Sequence, residues 1–209
     1  MTALLLSRRD TPAPVLAATA LFGLVLGWAT YALHGTVPFL ERATNSVSTW
    51  IIWTAVAGAL IRSRALAAWS GALMMVLTCA GYYTASAQGG TFGAGGLGTA
   101  AVWTAAGLAG GPLLGWAGWA VRRGPMSARP VAGAVVAMIL LGEGLWLGPT
   151  LHYWGEATVF LAAGALLTAF LTVFLARAGV PRYWLCAVLA PVGGLLFHLA
   201  EKLVLAGLL

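Results

Sequence analysis

Residues 65–121 read ALAAWSGALMMVLTCAGYYTASAQGGTFGAGGLGTAAVWTAAGLAGGPLLGWAGWAV, without one Asp, Glu, Lys or Arg. The hydrocarbon core of a bilayer is about 30 Å thick, so a helix needs roughly 20 apolar residues to cross it. This stretch is long enough to cross twice. The run Gly89-Gly90-Thr91-Phe92-Gly93-Ala94-Gly95-Gly96-Leu97-Gly98 supplies the turn between the crossings. The runs are long and do not alternate apolar with polar, so strands are not expected. Inside lipid every backbone N–H and C=O must find a partner within its own segment, and a helix provides one.

Working outward, residues 11–40, 43–61, 157–176 and 183–200 are also free of charge. Seven transmembrane helices are expected, at 13–33, 46–61, 66–86, 97–121, 131–148, 157–176 and 183–206, with six as the alternative count and the short second helix the least defined in its bounds. The expected fold is all-α, a polytopic membrane helix bundle forming a single integral membrane domain over residues 1–209. The composition agrees, with 61% hydrophobic and 8% charged residues. An average soluble domain is about 25% charged. Disorder, a nucleic-acid-binding domain and an ordinary cytosolic enzyme are thereby excluded. Arg8 and Arg9 precede the first apolar run as in a signal peptide, but that run is about 20 residues against the usual 7–15. A retained span is expected.

Charge also predicts orientation. Arg8, Arg9, Arg62, Arg64, Arg122, Arg123, Arg129, Arg177 and Arg182 fall on one side of the expected spans, and only Arg42 and Lys202 on the other. Basic loops stay in the cytoplasm. The N-terminus is therefore expected inside and the C-terminus outside, in a multi-pass protein of the cell (plasma or inner) membrane. The net charge of +6 then reports topology, not nucleic acid. The aromatics near the expected helix ends, among them Trp28, Tyr31, Trp50, Trp53, Tyr82 and Tyr83 on the outer side, suit interfacial belts.

Every histidine and glutamate maps toward the outer side: His34, Glu41, Glu143, His152, Glu156, His198 and Glu201. Ionisable groups at membrane depth are costly and usually face a partner or a cavity. Glu143 lies between two glycines, which leave room for a neighbouring helix. His198 and Glu201 are three residues apart and share a helix face. If the fifth and seventh helices are neighbours, these three converge beneath a lid of His152-Tyr153-Trp154-Gly155-Glu156, with Asn45 and Ser46 entering from the second helix. The competing reading is that the outermost of these groups only reach for the interface.

Other chemistries lack their residues. No HExxH or paired HxxxH supports a metal site, and no P-loop is present. The only aspartate is Asp10, so a membrane aspartyl protease pair is missing. Cys79 and Cys186 belong at different depths, about 15 Å apart along the helix rise, and are expected as separate buried thiols. Neither a cofactor nor a catalytic set is expected. Gly23-Leu24-Val25-Leu26-Gly27 and Gly111-Pro112-Leu113-Leu114-Gly115 both carry GxxxG, a strip that admits a neighbouring backbone. They fit either general small-residue packing or an inverted repeat of three helices plus three, as in many transporters.

Five short motifs occur in order: Gly27-Trp28-Ala29-Thr30, Asn45-Ser46 followed by Trp50, Gly81-Tyr82-Tyr83, Gly142-Glu143-Gly144-Leu145 and Leu151-His152-Tyr153. Together, over residues 15–160, the chain resembles a domain-of-unknown-function family of small, mainly actinobacterial, polytopic membrane proteins. The resemblance implies no activity. It marks Asn45, Tyr82, Tyr83, Glu143, His152 and Tyr153 as family-like positions.

The functional expectation is a protein that binds, or helps to transport, a small solute in an outward-facing polar pocket. Its candidate ligand-binding residues are Asn45, Glu143, His152, Tyr153, His198 and Glu201. The alternatives are a structural or interaction protein without a ligand site and, less favoured by the residues, a membrane enzyme. The expected partners are the lipid bilayer and either other membrane subunits or a second copy, and no nucleic acid.

Overall fold

The structure, a computed structural model, describes residues 12–34, 36, 46–91, 93 and 96–206, without the side chains of 12, 201 and 204–206. These residues form seven α-helices: α1 (Pro12–Leu33), α2 (Val47–Leu60), α3 (Arg64–Gln88), α4 (Gly96–Arg123), α5 (Arg129–Leu145), α6 (Trp154–Arg177) and α7 (Trp184–Ala206). A π-helical turn, Trp146–Thr150, continues α5. Five helical segments are long and apolar enough to cross a membrane: α1, α3, α4, α5 with its π turn, and α6. The apolar stretches Val47–Leu60 and Trp184–Ala200 are shorter. At 1.5 Å per residue the 14 residues of α2 rise only about 21 Å.

Local chemistry sets the ends. Ser63 begins α3 as an N-cap, its side chain accepting from the Leu66 amide at 3.3 Å. Gly179, at φ +68°, ends α6 in the left-handed conformation that glycine adopts without a Cβ penalty. The Val180 amide then reaches back to the Leu175 carbonyl at 3.0 Å, and the Val180 side chain is buried. The fifth helix departs from the expected 131–148: regular α-helix ends at Leu145. Pro149 has no N–H to continue the ladder, and the Leu151 amide bonds Trp146 five residues back. The sixth helix starts at Trp154, three residues before the expected start. Its first turn takes in Glu156, where a carboxylate favours the positive end of the helix dipole.

Packing is built on small residues. Gly23 and Gly27 of α1 meet Met74 and Thr78 of α3, while Gly111 and Gly115 of α4 meet Gly71 and Ala67 on a neighbouring face of the same helix. Both GxxxG strips thus lie on α3. A three-plus-three repeat would instead place α4 against α6 as α1 lies against α3; α4 lies chiefly along α3 and α2. The inverted-repeat expectation therefore gives way to small-residue packing. A second group forms around α5, where Gly142 faces Gly194 and Phe197 of α7, and Gly144 faces Leu161 of α6. A core of Trp50, Ile51, Met75, Cys79, Leu114 and Ile139 joins the two groups. Cys79 and Cys186 are separate free thiols.

The arginine-bearing turns gather at one end. The Arg123 guanidinium donates to the carbonyls of Ala59 and Ile61, and the Trp119 indole donates to the Arg62 carbonyl at 2.9 Å. Val180, between α6 and α7, and Cys186 at the start of α7 share a cluster with Val121 of α4. Arg62, Arg64, Arg122, Arg123, Arg129, Arg177 and Arg182 all lie in or beside these turns.

Candidate functional site

At the opposite end, α2 begins inside the bundle. Ser46 stands at its N-cap in extended conformation but makes no side-chain cap bond. The first amides of a helix have no partner in the helix itself. One is supplied from another helix: the Ser48 amide donates to Glu143 Oε2 of α5 at 2.9 Å. The Ser48 hydroxyl donates to the Ile139 carbonyl, one turn earlier on α5, at 3.4 Å. Ser46, Ser48 and Glu143 are all buried. Glu143 is thus a cap contributed by a distant part of the chain, and the helix dipole favours a carboxyl group there.

This capped turn carries Val47 and Trp50 to the wall of a cavity of about 880 Å³ between α1, α2, α3 and α4. Tyr31, Trp50, Tyr82, Tyr83 and Trp103 contribute its aromatic lining. Tyr82 is central, with ring centroids 5.7 Å from Tyr31, 5.6 Å from Trp50 and 5.3 Å from Tyr83. The Trp50 indole donates to Thr30 Oγ1 at 3.3 Å, and Thr30 in turn donates to the Gly27 carbonyl at 2.9 Å. Tyr31 is tied to Thr91 at 3.1 Å, and Thr91 to Ser86 at 2.8 Å. Thr99 and His34 also face the space. Among the described residues, no Asp, Glu, Lys or Arg lines it. The volume is that of small-molecule sites, which run from about 300 to 1,000 Å³.

The sequence-predicted residues are dispersed about this geometry. The fifth and seventh helices are neighbours, but Gly142 is the residue that faces α7. Glu143, about 100° further round the helix, carries its carboxyl to α2. His198 is buried with its ring centroid 6.1 Å from Trp146, and its Nδ1 has no hydrogen-bond partner. No hydrogen bond joins it to Glu143. His152 and Tyr153 are exposed and do not line the cavity. His152 takes φ +62°, and its amide bonds the Gly148 carbonyl at 2.9 Å, so its backbone helps to close the turn. Trp154 belongs to α6 and lies over Gly148. Asn45 and the Glu201 side chain lie outside the described residues. Among those described, no cluster of three His, Cys, Asp or Glu residues could hold a metal.

The aromatic cavity itself was missed by pattern reading. Tyr31, Trp50, Tyr82 and Tyr83 were expected in an interfacial belt. Trp28 and Trp53 are exposed as a belt requires, whereas Trp50 is only 5% exposed and turned into the bundle. Depth along the helix gave no signal, since Trp53 lies a turn deeper in α2 than Trp50 and is exposed.

Across residues 6–206 the chain matches the family model described as a family of unknown function, DUF6518. No curated protein and no solved structure matches it.

Proposed function

The chain belongs to DUF6518, a family of unknown function, and on that premise we propose that it is a solute-binding integral membrane protein whose site is the aromatic cavity. The observation that carries this reading is the cavity itself: about 880 Å³ of space, lined by five aromatic side chains and bounded by a helix start that a buried carboxyl holds in place. Preformed concave sites with aromatic walls and a few polar groups are where small molecules bind. Glu143 acts as a positioning residue for the α2 wall. Transport of the solute would need a partner or a second conformation.

The placement proposed is a multi-pass protein of the plasma or inner membrane, with seven spans, the arginine end in the cytoplasm and the cavity open to the outside. The sided arginines support it. Because Cys79 and Cys186 are buried, a cysteine introduced at the surface reports cleanly. Gly93→Cys, where a side chain meets nothing within 4 Å, is expected to react with a membrane-impermeant maleimide on intact cells. Arg122→Cys is expected to react only after permeabilisation. The reverse pattern overturns the orientation.

For the site, native mass spectrometry of gently extracted protein is expected to show a retained small molecule. Tyr82→Leu, which removes the ring touching Tyr31, Trp50 and Tyr83, is expected to release it while the protein still elutes as a folded species. Wild-type protein without any adduct, or an adduct equally retained by Tyr82→Leu, defeats this reading.

A further inference from the structure

We propose that the ligand of this cavity is a small organic cation of the quaternary ammonium class, an inference that rests on the cavity being a binding site. Three ligand classes fit the lining poorly. An anion would need Arg or Lys, and among the described residues none lines the space. A sugar would need the planar carboxylates, amides or guanidinium groups that grip paired hydroxyls, and these are absent from the described lining as well. A neutral apolar molecule finds lipid tails as apolar as the cavity wall, so the cavity offers it little over the bilayer.

A quaternary ammonium ion differs on each count. Lipid excludes its charge. Aromatic faces attract it, and the attraction grows when water is removed. Its methyl groups ask for no hydrogen bonds, which suits a wall whose Tyr31, Thr91 and Ser86 hydroxyls already bond one another. Tyr31, Trp50, Tyr82, Tyr83 and Trp103 bring three helices and the start of a fourth around one volume. Arg64 at the start of α3 is about 36 Å from the cavity end of that helix. Among the described residues, His34 is the one imidazole on the lining.

The test compares choline with 3,3-dimethyl-1-butanol, which has nearly the same shape and no charge. Each is titrated by calorimetry into the full chain in lipid nanodiscs. Choline is expected to bind at least about tenfold more tightly than the alcohol, equivalent to about 1.4 kcal/mol. Tyr82→Phe keeps the ring and is expected to stay within about threefold of wild type. Tyr82→Leu is expected to lose at least about tenfold. Trp103→Leu, on a different helix, is expected to do the same and guards against a folding defect at position 82. Equal binding of choline and the alcohol overturns the cation assignment and leaves the cavity as an apolar site. Failure of both probes, with an adduct still seen in native spectra, also overturns the cation assignment and leaves the binding reading in place. Failure of both probes without any adduct defeats both.

Discussion

Gly111→Val is expected to destabilise the bundle by at least about 3 kcal/mol, whereas Gly110→Val, one residue away on the same helix, is expected to change stability by less than about 0.5 kcal/mol. A Cβ at Gly111 would stand 2.8 Å from Ala72 Cα and press on the Gly71 carbonyl group. Those atoms are backbone, so no rotamer change relieves the overlap. The helices must separate, and along this seam α3 and α4 meet through glycine and alanine backbones with few side chains between them. A Cβ at Gly110 meets nothing within 4 Å. Apolar area cannot explain a difference between the two, because both variants add the same isopropyl group. Steric trapping or denaturation from mixed micelles would measure it. Indistinguishable unfolding free energies would sink the view that close backbone contact, not general hydrophobicity, holds these helices. Separation should also open the cavity, since Tyr82 and Tyr83 lie on α3 and Trp103 lies on α4. Ligand retention is therefore expected to fail in Gly111→Val and to survive in Gly110→Val.

Most of the helix positions were legible because charge is so scarce here. A helix that crosses lipid cannot carry an unpaired charge cheaply, so the gaps between arginines outline the helices. The α3–α4 turn was legible for the same reason, with glycines marking it. Reading by charge failed at the start of the sixth helix. Glu156 was expected in a loop before the sixth helix, yet it is 8% exposed and within the first turn of α6. Pro149 was a readable signal for the break after Leu145, but the apolar run through it concealed the change of helix type. GxxxG was legible as a packing strip. That both copies rest on α3 depends on which helices are neighbours, and a single sequence does not record that.

The site was legible only in part, and for a related reason. Glu143 drew attention as a costly buried group flanked by glycines. Its partner was misjudged because two adjacent residues on a helix face different neighbours: Gly142 packs on α7 and Glu143 reaches α2. Hydroxyl groups and rings gave no comparable signal. A tryptophan near a helix end reads as a lipid anchor whichever way it turns, and only the packing shows Trp50 facing Thr30 and Tyr82. The chemistry of Tyr82 and Tyr83 suggested interfacial anchors, and only the family resemblance marked them further.

The second large effect follows from the cap. Glu143→Leu is expected to cost about 1–3 kcal/mol, the penalty for leaving a buried donor unpaired, although leucine is apolar and of similar size. The donor stranded is the Ser48 amide, and Ser46 at the N-cap makes no side-chain cap bond to it in the structure. Glu143→Gln keeps an oxygen at the same reach and is expected to cost less than about 1 kcal/mol. The contrast runs against a purely hydrophobic view of a membrane protein, in which leucine should be the better replacement. Hydrogen exchange offers a local readout: the Ser48 amide should exchange faster in the leucine variant and remain protected in the glutamine variant. The same pair separates positioning from direct ligand contact. If Glu143 only seats the first turn of α2, glutamine retains the solute and leucine loses it together with the placement of Val47 and Trp50. If glutamine alone releases the solute while Ser48 stays protected, the carboxyl group is itself a ligand contact and the α2 cap is not its main role. If leucine is as stable as wild type and Ser48 is equally protected in both, the cap contributes nothing and α2 is held by its core contacts alone.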